Sequence, residues 1–413
     1  MFRRVVVTGM GAITPIGLTV DEYWKNLLNG VSGAAPITYF DTTNFKTKFA
    51  AQLKNFDPLN YMDRKLAQRV DPFTQFALAA ADEAVKSSGI NFDNIDKTRI
   101  GVIFGSGIGG VKTFETQHKN LLDSSPSRIS PFFIPMLIID IAAGRISIKY
   151  GLKGPNYATV SACATASHAI ADAFMLIQRG SADIILTGGS EATITPMAIG
   201  GFIQAGALST RNDEPQKASR PFDKTRDGFV MGEGGAVLVL ESLESALNRN
   251  AQIFAEISGI GLTADAHHIT DPAPGGEGAV RSMKLAIEDA DLQLSDVDYI
   301  NSHGTSTAGN DKNETSAIKT LFGAHAKNIA VNSTKSMTGH LLGAAGAIEA
   351  IACIKTLQTQ NIHPTINYEF PDPECDLFYV PNKSIQKEVN VVISNTFGFG
   401  GHNATLLFKR YQQ

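Results

Sequence analysis

Cysteine is scarce in this chain, long apolar runs are missing and charge is thin, and each shortage closes off a class of explanation. Only three cysteines, Cys163, Cys353 and Cys375, occur among 413 residues, with no CxxC and no paired spacing. No disulfide framework follows, and a reducing compartment is the simpler setting. No uncharged apolar run approaches the roughly 20 residues that span a bilayer. The richest stretch, after His340, carries Glu349 and several glycines. The segment Met1-Phe2-Arg3-Arg4 runs straight into Val5-Val6-Val7, too short an apolar region for a secretory signal. The expectation is a cytoplasmic protein without membrane association. Charged residues make up 18% of the chain, below the roughly 25% usual for globular proteins, which fits surface buried in an oligomer. An excess of positive charge is missing too: a formal net charge of -4 speaks against a nucleic-acid binder.

What is present is core material, 43% hydrophobic residues in a length that suits two or three domains or two fused halves. Short β-branched runs (Arg3–Thr8, Arg99–Phe104, Asp183–Thr187, Ala236–Leu240, Asp298–Asn301, Ile329–Asn332, Val391–Ser394) alternate with Ala-rich helical stretches. Nearly all-apolar strands are buried on both faces, so an α/β layered fold is predicted. The chain also echoes itself. Phe229–Leu240 and Phe397–Phe408 are each a glycine-rich turn entering an apolar strand, and each closes a half. The halves are expected at 1–250, with Cys163, and 251–413, with two histidines.

Cys163 lies in Thr159-Val-Ser-Ala-Cys163-Ala-Thr-Ala-Ser-His168, ahead of apolar residues at helical spacing. A helix start favours a thiolate, through its free N–H groups and partial positive charge. Taken alone, a nucleophile and a buried structural cysteine are equally open readings. Cys353, mid-helix, and Cys375, in a Pro/Asp-rich loop, read as inert. His303 and His340 each follow an apolar strand and stand among small residues that leave room for a substrate. A neutral Nε2–H there can donate to a developing oxyanion. Lys335 precedes His340 closely enough to supply positive charge. The adjacent His267 and His268 would point to opposite faces of a strand and make a poor metal pair.

At this point the residues resemble a known family. Val160-Ser-Ala-Cys163-Ala-Thr, Asn301-Ser-His303-Gly-Thr-Ser-Thr, Lys335-Ser-Met-Thr-Gly-His340 and Asn395-Thr-Phe-Gly-Phe399-Gly-Gly are similar to the signatures of β-ketoacyl-acyl-carrier-protein synthases, nearest to the synthase II group, over essentially the whole chain. The resemblance implies a thiolase-like α/β fold, two similar halves in a five-layered α-β-α-β-α arrangement, and a homodimer. It implies decarboxylative Claisen condensation through an acyl thioester on Cys163. His303 and His340 would stabilise charge on the malonyl thioester oxygen, with Lys335 as electrostatic support. The N–H groups of Cys163 and Phe399 would form the acyl-transfer oxyanion hole, and Phe399 would gate it. Thr305 and Thr307 would bind the pantetheine arm, and Ile108, Phe133 and Phe202 would line the acyl pocket. Acyl carrier protein, acyl- or malonyl-loaded, would dock on Arg64, Lys65, Arg69 and Arg128; Gln68 departs from the family's basic pattern there. No cofactor is required, but a structural sodium or potassium ion would sit near Asn301, Glu349, Ser394 and Asn395. Glu349, in an otherwise apolar helix, reads otherwise as half of a buried salt bridge.

Rival readings are weaker. Gly105-Ser-Gly107-Ile-Gly109-Gly110 fits a dinucleotide fingerprint, but no acidic residue ends a second strand about 20 positions on. A cysteine hydrolase leaves the second histidine and the lysine without a task. A non-catalytic partner subunit, like the chain-length factors of polyketide systems, would lack the cysteine.

Overall fold

The computed structural model describes residues 2–412. Ten strands form one sheet made of two sets with the same internal order. The first set comprises β1 (Val5–Ile13), β2 (Ile100–Gly105), β3 (Asn156–Tyr157), β4 (Ile184–Glu191) and β5 (Gly234–Ser242), in the spatial order β1-β5-β4-β2-β3. The second comprises β6 (Ala255–Ala264), β7 (Tyr299–Asn301), β8 (Ala330–Asn332), β9 (Val391–Gly398) and β10 (His402–Lys409), in the order β6-β10-β9-β7-β8. In each set the first two pairings are antiparallel and the last two parallel. The sets join where Val5 of β1 pairs antiparallel with Ile257 of β6.

Helices make the remaining layers. Helices α1 (Pro72–Ser88) and α2 (Ile141–Tyr150) cover the outer face of the first set, and α3 (Thr165–Gln178) packs on its inner face. Helices α4 (Glu277–Asp289) and α5 (Ala308–Phe322) cover the outer face of the second, and α6 (Ala345–Thr359) its inner face. The central layer is therefore α3 against α6. Phe174 and Ile351 are buried there, and each side chain of that size contributes about 1.5–3 kcal/mol on burial. Two like halves around a shared central helix layer are the α-β-α-β-α arrangement that the resemblance implies.

Local chemistry sets the elements. Asp71 caps α1 by accepting the N–H of Phe73, Pro72 opens the helix, and Gly89 ends it in the left-handed region at φ 63°. The pattern of β-branched runs passes over β6, which carries Gly259 and Gly261. Those glycines cost about 0.5–1 kcal/mol each in a strand, but they let α4 close on the sheet. A Cβ on Gly261 would stand 1.8 Å from the Ser282 carbonyl oxygen. The same device recurs in β1, where a Cβ on Gly11 would stand 2.0 Å from the Ala80 carbonyl oxygen of α1.

Candidate active site

Two matching turns lead into the central helices. Ala162–Ala164 is a single 3₁₀ turn before α3, entered at Ala162 with φ 50°. Leu342–Ala344 is its counterpart before α6, entered at Leu342 with φ 46°. Non-glycine residues in the left-handed region carry strain that their surroundings must hold. Here Thr165 Oγ1 donates to the Ala162 carbonyl and accepts from the Ser161 N–H. Cys163 therefore sits in a 3₁₀ turn just before the helix rather than in its first turn. A Cβ on Gly398 would lie 3.2 Å from the Cys163 nitrogen, so the glycine loop of the second half packs directly on the nucleophile.

His340 Nε2 lies 3.0 Å from Cys163 Sγ. The backbone N–H of Leu342 donates to His340 Nδ1 at 3.3 Å, so a neutral ring carries its proton on Nε2 and presents it to the sulfur. The His303 ring stands edge-on to His340 with centroids 5.3 Å apart. A ligand atom from each of Cys163, His303 and His340 falls within 4.8 Å of the others. Glu314, buried on α5, fixes the His303 loop by accepting the N–H groups of His303 and Gly304, both at 2.9 Å. Burial pushes the Glu314 carboxyl up to about 7, against those hydrogen bonds.

Lys335 is buried, with Nζ 2.5 Å from Glu349 Oε1. Glu349 is thus half of a buried ion pair whose other half is Lys335. Burial pushes Glu349 up to about 7, and the Lys335 ammonium opposes that rise. Burial, with Lys335 adding to it, holds both His303 and His340 well below the ordinary imidazole range, so both rings are neutral at rest. Cys163 corrects the thiolate expectation. Burial pushes its thiol up to about 11, although Lys335 and the N–H groups of Phe399 and Cys163 all pull it down. Desolvation outweighs the helix-start effect.

A cavity of about 440 Å³ opens above this cluster and includes Ile108, Phe202, Thr305, Thr307 and Phe399 in its wall. The hydroxyls of Thr305 and Thr307 lie 2.8 Å apart, and Arg226 Nε donates to the Thr307 carbonyl. Phe133 is half-buried on the short helix Phe133–Leu137, next to the exposed Ile134, and is not in the wall of this cavity. Arg64 and Lys65 are exposed on the short helix Arg64–Ala67, and Arg128 is exposed in the turn Pro126–Arg128. The Arg69 guanidinium stacks on Phe132 at 4.5 Å and draws the two basic segments together.

Asn301 Oδ1, Glu349 Oε2 and Ser394 Oγ are buried without a hydrogen-bond partner. Asn301 and Ser394 are register partners on β7 and β9. Three orphan oxygens suit a hard cation. Beside them, Asn395 Oδ1 accepts from Thr405 and its amide donates toward Glu314. The glycine-rich segment after β2 does not cradle phosphate. Its Gly107 and Ile108 N–H groups are taken by the buried Glu191, and that of Gly110 by the Leu137 carbonyl. Glu191 and Glu314 were not foreseen; the signal for Glu191 was a lone carboxylate closing an apolar strand.

Comparison with known proteins adds to this geometry. The family model described as "Beta-ketoacyl synthase, N-terminal domain" matches residues 2–246, and "Beta-ketoacyl synthase, C-terminal domain" matches residues 254–369. The chain is 53% identical over 410 residues to a 3-oxoacyl-[acyl-carrier-protein] synthase 2 of Synechocystis sp., covering 99% of each. It is similar to the crystal structure of a beta-ketoacyl synthase from Burkholderia phymatum, with TM-score 0.92 and 36% identity, covering 99% of this chain and 100% of that one. It is equally similar, with TM-score 0.92 and 36% identity over 100% of both chains, to a type II polyketide ketosynthase held in complex with its acyl-carrier protein.

Proposed function

The chain belongs to the β-ketoacyl synthase family, and from that premise we propose the course of its reaction. It is a 3-oxoacyl-acyl-carrier-protein synthase of the second kind, which lengthens a fatty acyl chain by decarboxylative condensation with malonyl-acyl-carrier protein. The observation that carries the mechanism is the 3.0 Å contact of His340 Nε2 with Cys163 Sγ, with His303 beside it in one cavity.

Cys163 attacks the acyl thioester carbonyl. Its proton goes to the departing pantetheine sulfur, and the acyl group stays on Sγ. The N–H groups of Cys163 and Phe399, which already face the sulfur, hold the oxyanion. Malonyl thioester then enters past Thr305 and Thr307. As its carboxylate leaves as carbon dioxide, the electron pair moves toward the thioester oxygen, where neutral His303 and His340 donate. The carbanion attacks the acyl carbonyl, and Cys163 leaves as thiolate and regains a proton. Incubation with acyl- and malonyl-loaded carrier protein should give carbon dioxide and a 3-oxoacyl product two carbons longer. Free acid without carbon dioxide would mean hydrolysis instead.

The carrier protein, acidic by chemistry, docks on Arg64, Lys65, Arg69 and Arg128; Arg64→Glu raising its KM in the same assay is the measure of this. Residues 1–250 supply the nucleophile and 251–413 the histidines. Asn301, Glu349, Ser394 and Asn395 would hold a sodium or potassium ion through oxygens that the Lys335–Glu349 pair leaves free, and an unfolding midpoint that rises with either salt above choline chloride supports it. No further cofactor takes part. Two copies pair through the exposed edge strand β3, in and just after which Tyr157 and Val160 expose apolar surface. Sedimentation at twice the chain mass is the expected result. The setting is the cytoplasm; no helix among the described residues is long and apolar enough to cross a membrane.

A further inference from the structure

Glu191 closes β4 and is fully buried. Its Oε2 accepts the N–H groups of Gly107 at 2.8 Å and Gly343 at 2.9 Å. Its Oε1 accepts the Ser106 hydroxyl at 3.0 Å and the Ile108 N–H at 3.2 Å. Ser106 Oγ in turn accepts the Gly109 N–H at 3.1 Å. One carboxylate thus ties the loop after β2 to the turn that follows His340. The neighbours leave no slack. A Cβ on Gly107 would stand 2.8 Å from Glu191 Oε2, and one on Gly343 would stand 2.3 Å from the Gly107 nitrogen.

The second half uses the same device on a residue of the reaction centre. The loop after β7, the counterpart of β2, hangs from Glu314 by two consecutive N–H groups, those of His303 and Gly304. In the first half the two consecutive N–H groups are those of Gly107 and Ile108. The residue placed is therefore Ile108, whose side chain enters the cavity wall beside Cys163.

We propose that Glu191 is a positioning residue for the acyl pocket, holding Ile108 at a fixed distance from Cys163 and His340 so that the pocket beyond Ile108 is formed before a long chain enters. The proposal rests on the reading of Ile108 as an acyl-pocket residue. A short acyl chain ends before Ile108 and is indifferent to the tie. A long chain needs the loop already ordered, and ordering it on binding costs affinity.

The test compares Glu191→Gln, Ser106→Ala and Ile108→Phe with the unaltered enzyme, using hexanoyl- and tetradecanoyl-carrier protein and recording each unfolding midpoint. Glu191→Gln turns an N–H₂ toward two converging N–H donors. It should lower the long-to-short ratio of kcat/KM about tenfold, mostly through KM. Ser106→Ala, which keeps the carboxylate and folds even if the glutamine variant does not, should shift the ratio the same way by a smaller factor. Loss of activity in equal proportion at both lengths, tracking the unfolding midpoint, overturns the proposal. Ile108→Phe separates the two claims. If it shifts the ratio while Glu191→Gln and Ser106→Ala do not, only the positioning role falls. If none of the three shifts it, the pocket reading falls and the proposal with it.

Discussion

Cys163→Ala abolishes condensation, by about 10⁴-fold or more, and leaves release of carbon dioxide from malonyl-carrier protein in place. The first half of that result follows from the covalent route, since no other cysteine reaches the cavity. Cys353 is buried within α6 and Cys375 within a loop, and burial raises both thiols. The second half follows from the division of labour at the site. The donors for the malonyl oxygen are His303 and His340; burial and Lys335 keep both neutral, and Leu342 sets the His340 tautomer, none of which depends on the sulfur. Acyl-enzyme trapped by acid quench and carbon dioxide measured separately read out the two halves. Residual condensation above about a hundredth of normal would remove Cys163 as nucleophile. The resting thiol adds a pH signature. Its pKa is raised to about 11, so at neutral pH it holds less thiolate than a free cysteine. Its alkylation by iodoacetamide should climb about tenfold per pH unit through the neutral range. A plateau below pH 8 would contradict the burial argument.

His303→Ala and His340→Ala each slow decarboxylation by about 10²–10³-fold, with a smaller effect on acyl transfer to Cys163. One donor is lost in each case from a cavity where water cannot replace it with the same geometry. The His340 variant should affect transfer more than the His303 variant, because His340 Nε2 alone is 3.0 Å from Sγ. Burial and Lys335 keep the neutral form of both rings favoured well below the ordinary imidazole pKa of 6.5. Protonation of the two rings should therefore add no acid limb near pH 6.5, and a limb near pH 7 would report Glu314 or Glu349 instead. Single-turnover transfer and malonyl decarboxylation, measured on the same preparations, check the pair. A variant that decarboxylates at the normal rate removes that histidine from the mechanism.

The reactive residues were legible because each closes an apolar run with a turn of small residues, a pattern visible along the chain. Strand β6 was not, since Gly259 and Gly261 serve the approach of α4 and break the β-branched pattern. The pairing of Lys335 with Glu349 was also hidden. The two lie on separate helices, and only the path of the chain through Gly339 and the 3₁₀ turn at Leu342 brings them within 2.5 Å. Thiolate character at Cys163 was overestimated because a sequence displays the helix start but not the depth of burial. Glu191 and Glu314 act on backbone N–H groups, which every residue except proline has, so nothing in the partner side chains advertises them.

The matching turns at Cys163 and Gly343 carry a lesson about descent. Two halves with the same strand order and the same strained turn have parted at the one position that counts: sulfur in one, a bare hydrogen in the other. The vacancy in the second half has been built over, because a side chain at 343 would strike the Gly107 nitrogen at 2.3 Å. A second nucleophile is therefore not one substitution away. The two halves are therefore not interchangeable at this turn: one carries the group that holds the acyl chain, and the other is filled by the pocket loop of the first.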